Sequence, residues 1–458
     1  MATIEQEYVR LHPKSARLYD RGKELFPDGV THDTRRLNPF PIYVTHATGS
    51  RKWDVDGHEY VDYRMGHGSL LLGHSHPEII KVVNSQMEKG THYGACHELE
   101  LEWAKWITQL IPSAEKIRFH NSGTEATLMA MRMSRAYTGK TKIIKFNHHF
   151  HGWNDYMVPG SGGVSGGIPS ETLDTVIVIP DTDVGIVEQT LENDDGIAAV
   201  IVEATGGHMG AYPIDAAFLH QIREVTKKHE VVFILDEVVT GFRVSTGGAQ
   251  YRYGVTPDLT TMAKILAGGL PGGAVAGRAD IINMIETKDD PDYNKYRRVG
   301  HNGTFNANPL SASAGVTALS ILKRDPINDQ AISMGNLLKK QLNDVLAQNE
   351  VLGCASGVNS LIHLRIGADH DCDREICILP ENEMKKTTDA NRNAQLNLAM
   401  LNNGIHSGTR FVVGAFHTED DIYRTAEAFN KSLDGKPVRI SDPFTTVSYT
   451  HLRAHETE

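Results

Sequence analysis

Hydrophobic and polar positions follow two different rhythms along this chain. Near the N-terminus, Ser15 to Leu25 carries apolar residues at helical spacing and stops at Pro27-Asp28-Gly29. Pro41-Ile42-Tyr43-Val44 and Lys52-Trp53-Asp54-Val55 then flank turn residues, and Asp56-Gly57 leads into Tyr60-Val61-Asp62-Tyr63, a hairpin-like pattern. From about residue 98 the rhythm changes. Helical stretches alternate with short runs rich in Val and Ile: Lys116 to Phe119, Lys142 to Phe146, Thr175 to Ile179, Ala198 to Glu203 and Val231 to Asp236. That alternation predicts βαβ units and a mostly parallel sheet, an α/β fold.

Ala312 to Leu322 reads as an apolar helix that links this large domain to a final α+β unit over about residues 325–435. The expected organisation is an N-terminal segment of a small domain (1–65), a large domain (66–322), the C-terminal part of the small domain (323–437) and a tail (438–458). The tail has no period that joins it to the domain. Its string VSYTHLRAHET resembles a translated sequencing adapter, and it is left out of the functional reading.

A length of 458 residues exceeds one ordinary core and suits one large and one smaller domain. Hydrophobic residues at 40% and charged residues at 22% are average for a globular protein. The net charge of -11 argues against a surface made for nucleic acid or anionic lipid. Among Cys96, Cys354, Cys372 and Cys377 there is no CxxC pair. A clip between Cys372 and Cys377 is conceivable, but free thiols in a reducing cytosol are the better reading. The polar start and the lack of an apolar run near the roughly 20 residues of a membrane span lead to the expectation of a cytoplasmic protein.

Three segments carry chemistry. Asn121-Ser122-Gly123-Thr124-Glu125-Ala126 follows a strand and opens a helix predicted over Glu125 to Tyr137. Free N–H groups and the positive end of the helix dipole favour an anion there, Gly123 permits close approach, and Ser122 and Thr124 can donate; the plain alternative is an N-cap. Asp236 and Glu203 each end a buried strand and so face the crevice where ligands of open α/β sheets bind, unless each merely caps the next helix. Lys264 is the one charge in Thr260 to Gly269, where apolar surroundings would lower its proton affinity and leave a nucleophilic amine. A lysine that snorkels to water is the alternative.

In combination these segments, with Asp236-Glu237-Val238, Thr240-Gly241-Phe242-Arg243, GHSHPEI (Gly73 to Ile79), Phe150-His151-Gly152 and Gly303 to Pro309, resemble the class III pyridoxal-phosphate aminotransferases of fold type I. The resemblance runs over roughly residues 20–430, and the motifs are similar to the glutamate-1-semialdehyde aminomutase branch. PDGVTHDTR and AKILAGGLPGG also resemble D-phenylglycine aminotransferase. The resemblance implies pyridoxal 5'-phosphate as cofactor, held as a Schiff base by Lys264, with Asp236 on its pyridine nitrogen. Val238 and Phe150 would cover the two ring faces, and Ser122, Gly123 and Thr124 would hold the phosphate. Glu203 and His208 would complete the cofactor set. Thr304 would reach the phosphate of a neighbouring subunit in a homodimer, and Arg35 would bind a substrate carboxylate.

Departures bear on the reaction. Gly207-His208 stands where the family usually has Gly-Asn, His67 where mutase relatives carry Trp, and Phe150 where Tyr is common. His67 and His208 tilt the expectation toward intermolecular amino transfer, with intramolecular aminomutase chemistry as the alternative. A non-catalytic cofactor-binding protein is disfavoured by intact Lys264 and Asp236. The run His148-His149-Phe150-His151 lacks a carboxylate or cysteine at ligand spacing, so no metal is expected. The Gly-rich stretch Ser161 to Gly167 reads as a mobile cover rather than a nucleotide loop.

Overall fold

The computed structural model describes residues 3–162, 164–180, 183–370, 375–377 and 379–434, so the tail expected at 438–458 and Cys372 lie outside the described residues. The chain divides into two compact units. The larger comprises Gly66–Leu72 and His76–Asp329; the smaller comprises the residues up to Met65, Gly73–Ser75 and Gln330 onward.

The larger unit is built on seven strands in the order Lys116–His120, Gly273–Gly277, Leu259–Ala263, Val232–Asp236, Ile197–Glu203, Lys142–Phe146 and Val176–Ile179. Gly273–Gly277 runs antiparallel to both its neighbours; the remaining ladders are parallel. Every residue of Ile197–Glu203 and Val232–Asp236 is buried, which explains why these strands read as continuous apolar runs rather than alternating ones. Leu259–Ala263 and Gly273–Gly277 have no such run. They are made of threonine, alanine and glycine as much as of bulky residues, and nothing in their pattern announces a strand.

The helix after the first of these strands spans Gly123–Thr138, two residues earlier than its apolar pattern suggests. The Ser122 hydroxyl caps it by accepting the Glu125 N–H at 3.2 Å, and Gly139 ends it at φ 72°, where a Cβ would be strained. Met129, Ala130 and Met133 of this helix pack with Ile201, Ile234, Leu259 and Val275 of the sheet. Each such methionine contributes about 1.5–3 kcal/mol by leaving water. The helix expected over Ala312 to Leu322 occupies Pro309–Arg324, because Asn308 caps the Ser311 N–H at 3.0 Å and Pro309 fits the first turn.

In the smaller unit, strands Val44–Thr48, Arg51–Asp54, Glu59–Asp62 and Ile405–His406 form one sheet, and Gly353–Ser356, Leu361–Ile366 and Arg410–Val412 another. The first strand starts where sequence patterning expects it to end. Pro41 has no N–H to give a ladder, and pairing begins at Val44 opposite Asp54. Two helices, Ile4–Leu11 and Pro13–Leu25, stand where one was expected over Ser15 to Leu25. The first opens on a Thr3/Gln6 capping box and ends at His12, and the second opens on Pro13. The core gathers Val61, Leu342, Val345, Leu364, Phe411, Ile422 and Phe429. The Cys377 sulfur lies 3.7 Å from that of Cys354, and both are buried thiols.

Candidate active site

The chemistry of the larger unit collects at the C-terminal ends of its parallel strands. His120 precedes the Asn121 turn, Phe146 precedes the 147–152 loop, Glu203 and Asp236 are themselves terminal residues, and Ala263 precedes Lys264. Glu203 pairs in register with Asp236, and Asp236 with Thr261. Residues far apart in sequence therefore share one sheet edge, the position at which open α/β sheets bind ligands.

Asp236 is buried, and both of its oxygens have partners. One oxygen accepts the Val238 N–H at 2.9 Å; the other is 2.7 Å from Nδ1 of buried His151. Burial holds the His151 imidazole below its ordinary value, so the neutral ring donates its single proton from Nδ1 to the carboxylate. Thr127, on the Gly123–Thr138 helix, donates to the His151 carbonyl at 2.7 Å. His151 was quoted in a motif but given no role by its sequence. Its partner is 85 residues away, and no local pattern records that pairing.

Lys264 opens a short 3-10 turn and sits at φ 55°, a left-handed conformation that costs a non-glycine residue about 1–3 kcal/mol. Desolvation pulls its ammonium below the ordinary lysine value. The Asp236 and Glu203 carboxylates oppose that pull and the Arg243 guanidinium adds to it. Arg243 is itself fully buried and donates to the Gly68 carbonyl at 2.7 Å. A Cβ at Gly68 would lie 3.8 Å from the Lys264 side chain, so the left-handed turn Gly66-His67-Gly68 lines the lysine's surroundings while His67 itself is exposed.

At the helix N-terminus, Gly123 has no room for a side chain: a Cβ would come 2.9 Å from Val238 and 3.6 Å from Ala263. The phosphate-type turn, the second residue after Asp236 and the residue before Lys264 thus meet. Thr124 is packed against Gly152, and the Phe150 N–H is held by Glu203 at 2.6 Å. Phe150 is half exposed, His208 is partly buried and Thr304 is exposed. Asn121 donates to Asn306 at 3.3 Å, which draws the Gly303-to-Pro309 segment to the same turn. Arg35 belongs to the smaller unit, exposed, with its guanidinium on the Thr31 hydroxyl at 2.8 Å. The three histidines of the 148–151 run do not converge: His149 accepts the Glu203 N–H at 3.0 Å, and His151 faces Asp236.

Pyridoxal phosphate fits these residues. The Gly123 helix start offers N–H groups to a phosphate. Asp236 offers an oriented carboxylate to a ring nitrogen and Lys264 an amine to a carbonyl. The buried hydroxyls of Thr205 and Thr261 and Nε2 of His151 still lack partners.

Comparison with known proteins gives the same answer. Residues 33–378 match the family described as Aminotransferase class-III. The chain is 37% identical over 435 residues to a glutamate-1-semialdehyde 2,1-aminomutase of Methanopyrus kandleri, covering 92% of this chain and 97% of that one. Among solved structures it resembles an omega-transaminase from Sphaerobacter thermophilus, with 31% identity, a TM-score of 0.83 and coverage of 92% and 97%. A transaminase with pyridoxal phosphate bound is similar at 29% identity and a TM-score of 0.82, with the same coverage. No helix among the described residues is long and apolar enough to cross a membrane. The chain belongs to the class III aminotransferases, with the fold-type-I architecture and pyridoxal 5'-phosphate as cofactor.

Proposed function

We propose that this protein moves an amino group within one small amino-carboxylate substrate, in the manner named for its aminomutase relatives. The placement of Lys264 beside the Asp236–His151 pair carries the amino-transfer reading. When bound, pyridoxal phosphate supplies an electron sink for the substrate carbon that bears the amine. Lys264 supplies the amine that bonds the cofactor and, once released, the base that takes and returns the substrate proton. Asp236, oriented by His151 and the Val238 N–H, would hold the ring nitrogen. Ser122, Gly123 and Thr124 seat the phosphate; Val238 and Phe150 cover the ring; His208 approaches it from the loop after Glu203. Arg35 and His67 contact substrate.

The relatives' names place intramolecular transfer ahead of the intermolecular reaction expected from His67 and His208. Transfer between two molecules is the second reading. It is supported by those two residues and by the transaminases at 31% and 29% identity. Glutamate 1-semialdehyde offered alone decides between them. Rapid isomerisation with no keto acid accepting the amine supports the first. Conversion of the enzyme by an amino acid, with one keto product released per site and recovery by pyruvate or 2-oxoglutarate, supports the second.

The working form in this proposal is a cytoplasmic homodimer in which Thr304 completes the partner's phosphate site. Its support is the exposure of Thr304 and of the Phe305 ring, 57% exposed, on a turn tied to Asn121.

A further inference from the structure

Glu203 was expected to touch the cofactor. Its carboxylate is 7% exposed, and its oxygens are already engaged. One accepts the N–H groups of Phe150 at 2.6 Å and His208 at 3.0 Å; the other accepts the Met209 N–H at 3.0 Å. The Glu203 N–H in turn donates to His149 Nδ1 at 3.0 Å. The segments 148–150 and 207–209 follow different strands, and both contain left-handed non-glycine residues: His148 at φ 64°, His208 at 53° and Met209 at 66°. Such backbone persists only where its surroundings hold it. The two segments also press on each other. A Cβ at Gly207 would come 2.7 Å from the His148 carbonyl oxygen, and the His148 ring stacks on Tyr212 at 3.9 Å.

We propose that Glu203 is a positioning residue whose carboxylate clamps these two segments together and so fixes Phe150 and His208 where they face the cofactor. The inference rests on the reading of Phe150 and His208 given above. Its chemistry is specific. All three donors are backbone N–H groups, so both side-chain oxygens must accept. Glutamine has the same size but must turn an NH2 group toward at least one N–H, and a donor facing a buried donor forfeits the bond. Lys145, on the neighbouring strand, feels the Glu203 charge but makes its hydrogen bonds to the carbonyls of Met157 and Pro159, each at 2.6 Å.

The test compares holoenzyme with Glu203→Gln by amide hydrogen exchange and by the visible circular dichroism of bound pyridoxal phosphate. The expected result is at least tenfold faster exchange at Phe150, His208 and Met209, with the strand amides of 232–236 unchanged. The dichroic band should shrink and the cofactor dissociation constant rise at least tenfold. Unchanged exchange at those three amides, or loss spread evenly through the unit, overturns the proposal. Should Glu203→Gln not fold, the wild-type protein alone decides: the three amides must exchange far more slowly than exposed loop amides, and open-loop rates there overturn it. Phe150→Ala tests the underlying reading separately. If it leaves the dichroic band and the cofactor affinity unchanged, the assignment of Phe150 fails whatever the exchange data show.

Discussion

His151 Nδ1 lies 2.7 Å from Asp236 Oδ2, and both side chains are buried. The imidazole occupies one oxygen and orients the carboxylate, which in the proposed site would hold the ring nitrogen. By analogy with outer partners of metal ligands, whose loss costs about 10–100-fold, His151→Phe should lower kcat/KM by a factor of that order. Cofactor binding should weaken less than activity. Steady-state kinetics beside a cofactor titration checks this, and wild-type kcat/KM in the variant would remove His151 from the mechanism.

The proposed Schiff-base role of Lys264 is directly testable. Borohydride treatment of the yellow protein should fix pyridoxal phosphate on the peptide that contains Lys264, read by mass spectrometry. Lys264→Ala should retain the cofactor but turn over at least about 10³-fold more slowly, the contribution of a well-placed proton-transfer group. Label on another peptide would overturn the assignment.

The proposed sharing of sites between subunits makes a mixing experiment informative. If Thr304 serves the partner's phosphate, Lys264→Ala on one subunit and a disruptive change at Thr304 on the other put both lesions into one site of a mixed dimer and leave the other intact. Subunit exchange of the two inactive variants should recover up to about a quarter of wild-type activity, the fraction that random pairing and one intact site per hybrid allow. A monomer by light scattering, or no recovery after verified exchange, counts against it.

Acid lability should trace to a buried histidine. Burial, with the His301 and Arg118 charges adding to it, pushes the His120 imidazole down to about 3 from an ordinary 6.5. For a base with a lowered folded value, the unfolded chain binds the proton first. Stability is therefore full above about pH 6.5 and is lost as pH falls toward 3, by about 1.4 kcal/mol per pH unit inside that window. Urea melts at pH 7, 6 and 5 should show this slope, and His120→Gln should flatten it by roughly that amount. Equal slopes in the two proteins would assign the lability elsewhere.

The parallel sheet, the Asn121-to-Ala126 turn, Asp236 and Lys264 are legible in the sequence because each is a local event: a buried run that ends, or one charge in an apolar stretch. Strands Leu259–Ala263 and Gly273–Gly277 are not, since their small residues are chosen by close neighbours. A Cβ at Gly273 would come 2.4 Å from the Ser122 carbonyl. The roles of His151 and Glu203 were equally hidden. Each depends on partners brought together by strand register, 85 residues apart for His151 and Asp236, 53 for Phe150 and Glu203. The closeness of the Cys354 and Cys377 thiols, 23 residues apart, was hidden in the same way.

The backbone at Lys264 has a consequence for the fold itself. Its left-handed φ of 55° and a side chain whose charge burial opposes both raise the energy of the native state. Glycine at this position would relieve the first by having no Cβ and the second by having no ammonium. Without cofactor, then, Lys264→Gly should melt above the wild-type protein. The most durable version of this molecule is one that can no longer work.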